Sequence, residues 1–508
     1  MNSINTISNI VVNLVDFIIK NVSNGDFINR TFYGRLYFAL TLANIDLNKY
    51  VTVINQLVES EVLGQRSSSN YHWEFNNYAA LKLNQLIDNI LLKDDLKYIR
   101  FKGTKVTNWI LLRGLCEVII GNPKGIQRIL NRVKKYQIES GLILDDYSVK
   151  SFQYHCFSLA ILAEVHILTS NAKIKESFMK GIDFICRFVL PNGMTNYIGR
   201  GQEQIFGYGA LIFSLEYAFT LSEDIDYIVI QNRVIKHLNG FLNDDGSIPL
   251  MLNGVESRTA SVENVNVNNT GFLGWYNYNN YFDYLPFFAY YLVYTQSIHK
   301  KRPQIYTNQT RFDQSYNDSS FILKKMCDYI AVVSAPGGYW TNDLSFPLIF
   351  INERSVTPYY GGEQYGSILF DSFSLPTPWA KYKKIEFGFF RTIKNQLKKI
   401  MNRHIDDVYI FRDELKYVLT GDTLIGRSTS FIHKCTYEFG SNFIKVNSSI
   451  KVLKAIRLTK FIHLNLFFLS KQVITDSKIL TKEFIIHLKH SSSISLHENI
   501  VHSSNGVL

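Results

Sequence analysis

Gly141-Leu-Ile-Leu-Asp-Asp146 is followed by Phe152-Gln153-Tyr154-His155 and then by the apolar run Phe157–Leu168. The order returns at an interval of about fifty residues (191 against 141): Pro191-Asn-Gly-Met-Thr-Asn196, then Gly199-Arg200-Gly201-Gln202-Glu203-Gln204, then the run Ile205–Leu221. A third turn of the same kind, Asn243-Asp-Asp-Gly-Ser-Ile-Pro249, comes about fifty residues further on. Gly, Asn, Asp and Pro clusters mark turns, and apolar residues at three- and four-residue steps predict helices. Helical hairpins repeated at a fixed period describe either a closed α/α toroid or an open solenoid. The toroid is preferred, because the polar and aromatic loop residues gather at one end, as a central cleft requires.

Working outward, the same periodicity predicts helices over Ala79–Leu92, Trp109–Ile120, Gly125–Gln137 and Ile174–Phe188. Residues 1–300 therefore read as one helical domain. Met1 to Lys20 has Asp16 within its apolar run and lacks a basic start, so it reads as an amphipathic helix rather than a leader peptide. No uninterrupted apolar stretch of about eighteen residues occurs, and no transmembrane segment is expected. From 301 to 320 the chain turns polar and reads as a linker. Beyond it, short β-branched and aromatic runs such as Tyr329–Val333, Leu348–Ile351, Val408–Phe411 and Phe443–Val446 predict an antiparallel β-sandwich over 321–508, with a helical insertion near 381–403. The expected fold class is thus a multi-domain α+β protein, an N-terminal α/α toroid followed by a C-terminal β-sandwich.

The chain has 508 residues and a net charge of +11, a balance that attracts polyanions. It has no zinc-finger spacing, no RNA-binding aromatic signature and no basic helix with heptads, so the expected partner is an acidic polysaccharide or oligosaccharide and not nucleic acid. The 31 Tyr and 36 Phe are mostly core residues, and some of them suit the face of a sugar ring. Five widely separated cysteines show no metal-ligand spacing and require no oxidising compartment. A cytoplasmic setting is the default expectation, with periplasmic or secreted placement left open. His72, His166 and His404 have no partners at ligand spacing, so no metal site is expected.

Three polar clusters each open a helical pattern: Asn108-Trp109, Phe152-Gln153-Tyr154-His155 and Gly199-Arg200-Gly201-Gln202-Glu203-Gln204. An amide, an imidazole and a guanidinium are the groups that β-elimination on a uronic-acid polymer needs. The carboxylate must be neutralised as the neighbouring carbon loses its proton, a base must take that proton, and an acid must protonate the leaving oxygen. No cofactor is required. Asn108 also suits an N-cap. Trp73-Glu74-Phe75-Asn76-Asn77 opens a further helix and offers Trp73, Asn76 and Asn77 as sugar-binding groups.

These clusters, in this order and spacing, resemble the chondroitin/hyaluronate lyase type of polysaccharide lyase, and more loosely the heparinase II/III and toroidal alginate lyases. The resemblance covers residues 70 to 300 by motif and the β region by architecture only. It implies that Asn108 neutralises the carboxylate, that His155 assists there or acts as base, and that Arg200 binds near the leaving oxygen. Two positions depart from the pattern. Glu164 stands where the lyases carry a Tyr about nine residues after the His, and Gln204 replaces a second Arg. The proton-transfer Tyr is then sought among Tyr154, Tyr197 and Tyr208, with Tyr197 favoured because its loop also carries Arg200. Gln202, Glu203, Gln204, Tyr154 and Tyr208 are the remaining expected substrate contacts. Two alternatives stand beside elimination: a glycoside hydrolase using Glu203 with Asp145 or Asp146, and a glycan-binding or assembly protein without catalysis.

Overall fold

A helix that is apolar on every side must be buried on every side, whereas one with a single apolar stripe belongs on the outside of a layer. Both kinds occur, in alternation, in the computed structural model of the chain. It describes residues 3–252 except 24, 26, 28–31, 65–71, 98, 102 and 200. It also describes 281–335 except 301 and 303–308, then 347–357, 416–427 and 431–453, together with isolated short strands elsewhere from 272 to 503. The helices are α1 (Ser3–Ser23), α2 (Gly34–Val62), α3 (Trp73–Asn84), α4 (Ile90–Leu96), α5 (Thr107–Ile119), α6 (Lys124–Tyr136), α7 (Phe152–Thr169), α8 (Ala172–Phe188), α9 (Ile205–Ser222), α10 (Asp226–Asn239) and α11 (Tyr281–Ser297). Every residue of α7 from Phe152 to Val165 is buried, as is every residue of α9 from Ile205 to Phe219. In α6, by contrast, the buried residues are Gly125, Ile129, Val133 and Tyr136, one stripe at helical spacing.

Helix α2 is two helices joined at Asp46, which is extended (φ −162°, ψ 96°). The Asp46 carboxylate accepts from the Lys49 N–H at 3.0 Å and so caps the second half. With that division the inner helices form a closed ring: residues 34–45 pack on α3, α3 on α5, α5 on α7, α7 on α9, α9 on α11, and α11 back on α2. Residues 47–62, α4, α6, α8 and α10 lie outside, and α1 packs behind α11 and α10. This is an α/α toroid of six hairpins, the last completed by the first helix of the chain. Its closing seam is tight. A Cβ on Gly34 would lie 2.1 Å from the Phe282 carbonyl oxygen, so only glycine lets α2 and α11 approach this closely. Helix α9 is long and apolar enough to cross a membrane, but it is an inner helix of the ring, and 83% of that window is buried.

The helix expected over Ala79–Leu92 is instead the end of α3 and the start of α4. Gln85-Leu-Ile-Asp-Asn89 breaks the pattern, and the Asn89 side chain caps α4 by accepting from the Leu92 N–H at 3.1 Å. Asn108 is not an N-cap either. Val106 holds that place, and Asn108 lies within the first turn of α5.

The axis of the ring is filled. Phe75, Phe157, Phe206 and Phe287, each from a different inner helix, meet with ring centroids from 4.0 Å (Phe206–Phe287) to 6.4 Å (Phe75–Phe287). Burying such a ring stabilises the fold by roughly 1.5–3 kcal/mol. Glu164, also on an inner helix, accepts from Tyr78 (2.7 Å) and Tyr291 (3.1 Å) and lies 3.7 Å from Lys82. The toroid is therefore solid along its axis, and any cleft must be a cup at one end.

The chain divides into two compact units at Gln314/Ser315. Two residues of the stretch expected to link them, Arg311 and Asp313, make contacts inside the helical unit. Arg311 pairs with Asp183, Asp224 and Asp226, and Asp313 accepts both Arg233 NH groups at 2.7 Å, all within the helical unit. The second unit begins with a five-stranded antiparallel sheet, β1 (Tyr316–Asn317), β2 (Phe321–Lys325), β3 (Ile330–Ser334), β4 (Leu348–Ile351) and β5 (Arg354–Ser355), paired in sequence order. A four-stranded meander follows: β6 (Lys416–Thr420), β7 (Thr423–Arg427), β8 (Phe431–Phe439) and β9 (Ile444–Val452). Burial alternates along β6, with Tyr417 and Leu419 inward, as a sheet with one wet face requires. Ile322, Val333 and Ala335 of the first sheet region share one apolar cluster with Tyr417, Leu419, Leu424, Cys435 and Tyr437 of the meander. The helix expected near 381–403 lies outside the described residues beyond Lys381, which ends the short strand Trp379–Lys381.

Candidate active site

All six inner helices begin at the same end of the ring, and their first turns enclose a cavity of about 240 Å³. Phe32 and Tyr33 lead into α2, and His72 and Phe75 open α3. Val106, Asn108 and Trp109 open α5, Tyr154 opens α7, Phe206 opens α9, and Asp283 and Tyr284 open α11. The walls are aromatic: Trp109 lies 5.2 Å from His72 and 5.6 Å from Phe75 between ring centroids, Tyr33 stacks on Phe75 at 4.6 Å, and Tyr154 and Tyr284 flank Phe206 at 5.9 and 5.1 Å. Each helix start presents N–H groups with a partial positive charge, so six converging starts favour an anion at this end.

Asp283 uses part of that field. Its carboxylate accepts from the N–H groups of Phe32 (2.9 Å), Tyr33 (2.8 Å) and Gly34 (2.7 Å), capping α2 from across the seam. Burial nevertheless pushes it up to about 7. Burial, with Tyr284 and Asp283 nearby, holds the Tyr33 phenol well above its usual value, so it remains a neutral hydrogen-bond donor. Asn108 is buried. Its Nδ2 donates to Asp145 Oδ1 at 2.9 Å, which fixes the amide, while its Oδ1 has no hydrogen-bond partner among the described residues. Asp145 in turn is held by its own backbone carbonyl, which accepts from the Thr107 N–H at 2.6 Å.

Of the described residues expected at the site, Asn108 and Tyr154 line the cup, and the other described ones do not. His155 is a correction: it faces the interior between α7 and α8. Its Nδ1 accepts from the Ile143 N–H and its Nε2 donates to the Gly181 carbonyl, both at 3.0 Å. Burial lowers it to about 4, and neither ring nitrogen is left for a substrate. Tyr197 is a second correction. It is buried edge-on against Phe152, with burial and the nearby Glu203 carboxyl raising its phenol further. Tyr208 donates to Glu203 at 2.7 Å and accepts from the Thr195 N–H at 2.9 Å, so it braces a loop. Gln202, Glu203 and Gln204 are buried in that loop, which is stitched to the 250–252 segment through Leu252 N–H to Glu203 O (2.8 Å) and Ile205 N–H to Leu250 O (3.1 Å). Gly199 holds the other side. At φ +79°, a Cβ there would lie 2.1 Å from the Lys150 carbonyl oxygen.

Arg200 lies outside the described residues. Asn76 and Asn77 act indirectly, donating to the carbonyls of Phe32 (2.8 Å) and Arg100 (2.6 Å). The half-buried Trp73 begins α3 without lining the cavity. The hydrolase pair is not assembled in the cup: Glu203 is elsewhere, Asp145 is bound to Asn108, and Asp283 supplies the one carboxyl among the described lining residues. Among the described residues no three His, Cys, Asp or Glu side chains gather as metal ligands.

Phe32, Tyr33, His72, Phe75, Phe206, Asp283 and Tyr284 were not legible as site residues from motifs. Their common signal is position, since each stands just before or within the first turns of an inner helix. That becomes visible only once the inner helices are known.

Burial pushes the Glu203 carboxyl up to about 8, opposed by the hydrogen bonds from Tyr208 and from the Asn196 backbone. Its folded value thus lies above that of the unfolded chain. The stability it contributes is complete below the ordinary carboxylate range and is lost as pH rises through about 8. From about pH 6 to 9 the melting temperature of the wild type should fall a few °C more than that of Glu203→Gln, read by scanning fluorimetry. Parallel curves would contradict a neutral buried Glu203.

The chain matches no protein-family model and no curated protein by sequence. Solved structures similar to it include a glycosyl hydrolase family 88 protein from Bacteroides vulgatus (10% identity, 56% of this chain and 98% of that one, TM-score 0.41). A polysaccharide lyase is similar at 13% identity over 56% of this chain and 98% of that one, with a TM-score of 0.39. A type II terpene cyclase from Scytonema is similar at 11% identity over 58% and 99%, with a TM-score of 0.40. These three carry different chemistries.

Proposed function

We propose that the protein is an enzyme acting on an acidic, uronic-acid-containing glycan by β-elimination, with the cup at the helix starts as its site. One observation carries the reading: six inner-helix N-termini converge on an aromatic-walled cavity that holds Asn108 and Tyr154 together. The field of the helix starts and the Asn108 amide would neutralise the uronate carboxylate as charge moves onto it. The partly exposed Trp109 offers an apolar face to a sugar ring. Of the three tyrosines considered from sequence, Tyr154 lines the cavity, so it is assigned the proton transfer, with His72 across the cup as the second group able to move a proton. The β unit is read as a sandwich, supported by the apolar cluster shared between its two sheets.

Incubation with hyaluronate, chondroitin sulfate, alginate and polygalacturonate tests this directly. The expected result is the ultraviolet absorbance of an unsaturated uronate from at least one polymer. New reducing ends without that absorbance would overturn elimination in favour of hydrolysis. Calorimetric binding without turnover would leave a glycan-binding protein.

A further inference from the structure

The outer helix α6, Lys124-Gly-Ile-Gln-Arg-Ile-Leu-Asn-Arg-Val-Lys-Lys-Tyr136, carries five cations and no acid. Its apolar stripe, Ile129, Val133 and Tyr136, is buried, and Gly125 lies against Gly114 of α5, so the cations are forced outward. Three of them, Lys124, Arg128 and Arg132, line a groove of about 450 Å³ with Ile110, Gln127 and Asn131, and the exposed Lys135 lies one helical step beyond Arg132. We propose that this groove is an outward-running subsite for an anionic polymer, continuous with the cup. The proposal deepens the acidic-glycan reading above and rests on it.

Continuity comes from the first turn of α5, which both sites share. Arg132 Nε donates to Thr107 Oγ1 at 3.1 Å, and its guanidinium also donates to the Lys105 carbonyl and lies 3.5 Å over the Tyr136 ring. Thr107 precedes the cup residue Asn108, and Ile110 follows the cup residue Trp109. Arg132 is thus a cation held against the first turn of α5, the turn that also carries the cup residues Asn108 and Trp109. From there Arg128 and Lys124 follow at four-residue steps, about 6 Å apart along the axis. Glu117 neutralises Arg128 through two 2.8 Å hydrogen bonds, whereas no carboxylate pairs with the exposed Lys124 or Lys135 among the described residues. Between the cations, Gln127 Nε2 donates to Asn131 Oδ1 at 2.7 Å, leaving exposed amides beside the groove as partners for hydroxyl groups. Cations spread along one face suit repeated charges on a chain, whereas a single anion requires donors that converge.

The test compares wild type with Lys124→Glu/Lys135→Glu and with the uncharged Lys124→Gln/Lys135→Gln. Calorimetry over a range of salt would use long hyaluronate, long polygalacturonate and a hyaluronate tetrasaccharide. Both substituted positions are exposed, and circular dichroism verifies the fold. The Glu variant should bind at least one long polymer about tenfold more weakly with a shallower salt dependence. Each exposed charge contact is worth a factor of a few, and reversal turns attraction into repulsion. The Gln variant should fall between, and tetrasaccharide affinity should stay as in wild type. Unchanged polymer affinity and salt slope would overturn the proposal, as would failure of the wild type to bind either polymer. Tighter binding of duplex DNA than of either polymer at matched salt would overturn it in favour of a nucleic-acid surface. If the wild type produces no unsaturated uronate while the charge variant still loses polymer binding, the elimination reading falls and this subsite stands.

Discussion

His155→Ala is expected to lower the unfolding free energy of the helical unit by about 3–6 kcal/mol. The substitution removes a fully buried ring and strands two backbone groups, the Ile143 N–H and the Gly181 carbonyl, that the imidazole satisfies at 3.0 Å each. A buried group left without its partner costs about 1–3 kcal/mol, and the vacated volume adds to that. Domain stabilities are about 5–15 kcal/mol, so this is a large share of the whole. The imidazole is neutral in the fold, lowered to about 4 by burial. Its contribution is therefore present above the ordinary histidine range and is lost as pH falls toward about 4. Denaturant unfolding at neutral pH, followed by far-ultraviolet dichroism, measures the effect. A variant with wild-type stability and no turnover would instead restore His155 to the catalytic role that the lyase resemblance implies.

Asn108→Ala and Tyr154→Phe are each expected to lower turnover on the glycan by at least about 10², since removing one positioned donor or one proton-transfer group typically costs that much. Tyr154→Phe deletes one oxygen from a residue that lines the cup, so the unfolding midpoint should hardly move. Asn108→Ala also releases Asp145, so it should show a modest stability loss alongside its kinetic one. Tyr197→Phe and Tyr208→Phe serve as comparisons. Tyr197 is buried against Phe152, and Tyr208 braces Glu203, so neither should reduce turnover as Tyr154→Phe does. Wild-type turnover in both Asn108→Ala and Tyr154→Phe, on a verified substrate, would remove the cup as the catalytic centre.

The hairpin period was legible because burial of whole inner helices demands long apolar runs, and turns between them demand Gly, Asn, Asp and Pro. The recurrence from Gly141 to Pro191 to Asn243 follows from those two needs. So does the change to short β-branched runs near Tyr329. Boundaries were less legible. Ala79–Leu92 keeps an apolar pattern across a break that Asn89 makes by capping a new helix. The site was legible only in part, and for one reason. The motif Phe152-Gln153-Tyr154-His155 places four residues on one helical turn, where successive side chains point about 100° apart, so Tyr154 faces the cup while His155 faces the gap between α7 and α8.

Composition and periodicity alone thus determined that the chain opens with paired helices and that strands follow. Tertiary structure decided the rest, because the cup is assembled from residues as far apart as Phe32 and Tyr284. They come together only when α11 closes on α2 and Asp283 caps the N–H groups of Phe32, Tyr33 and Gly34. Ring closure is a long-range contact with no local signature, and it turns six separate helix starts into one site.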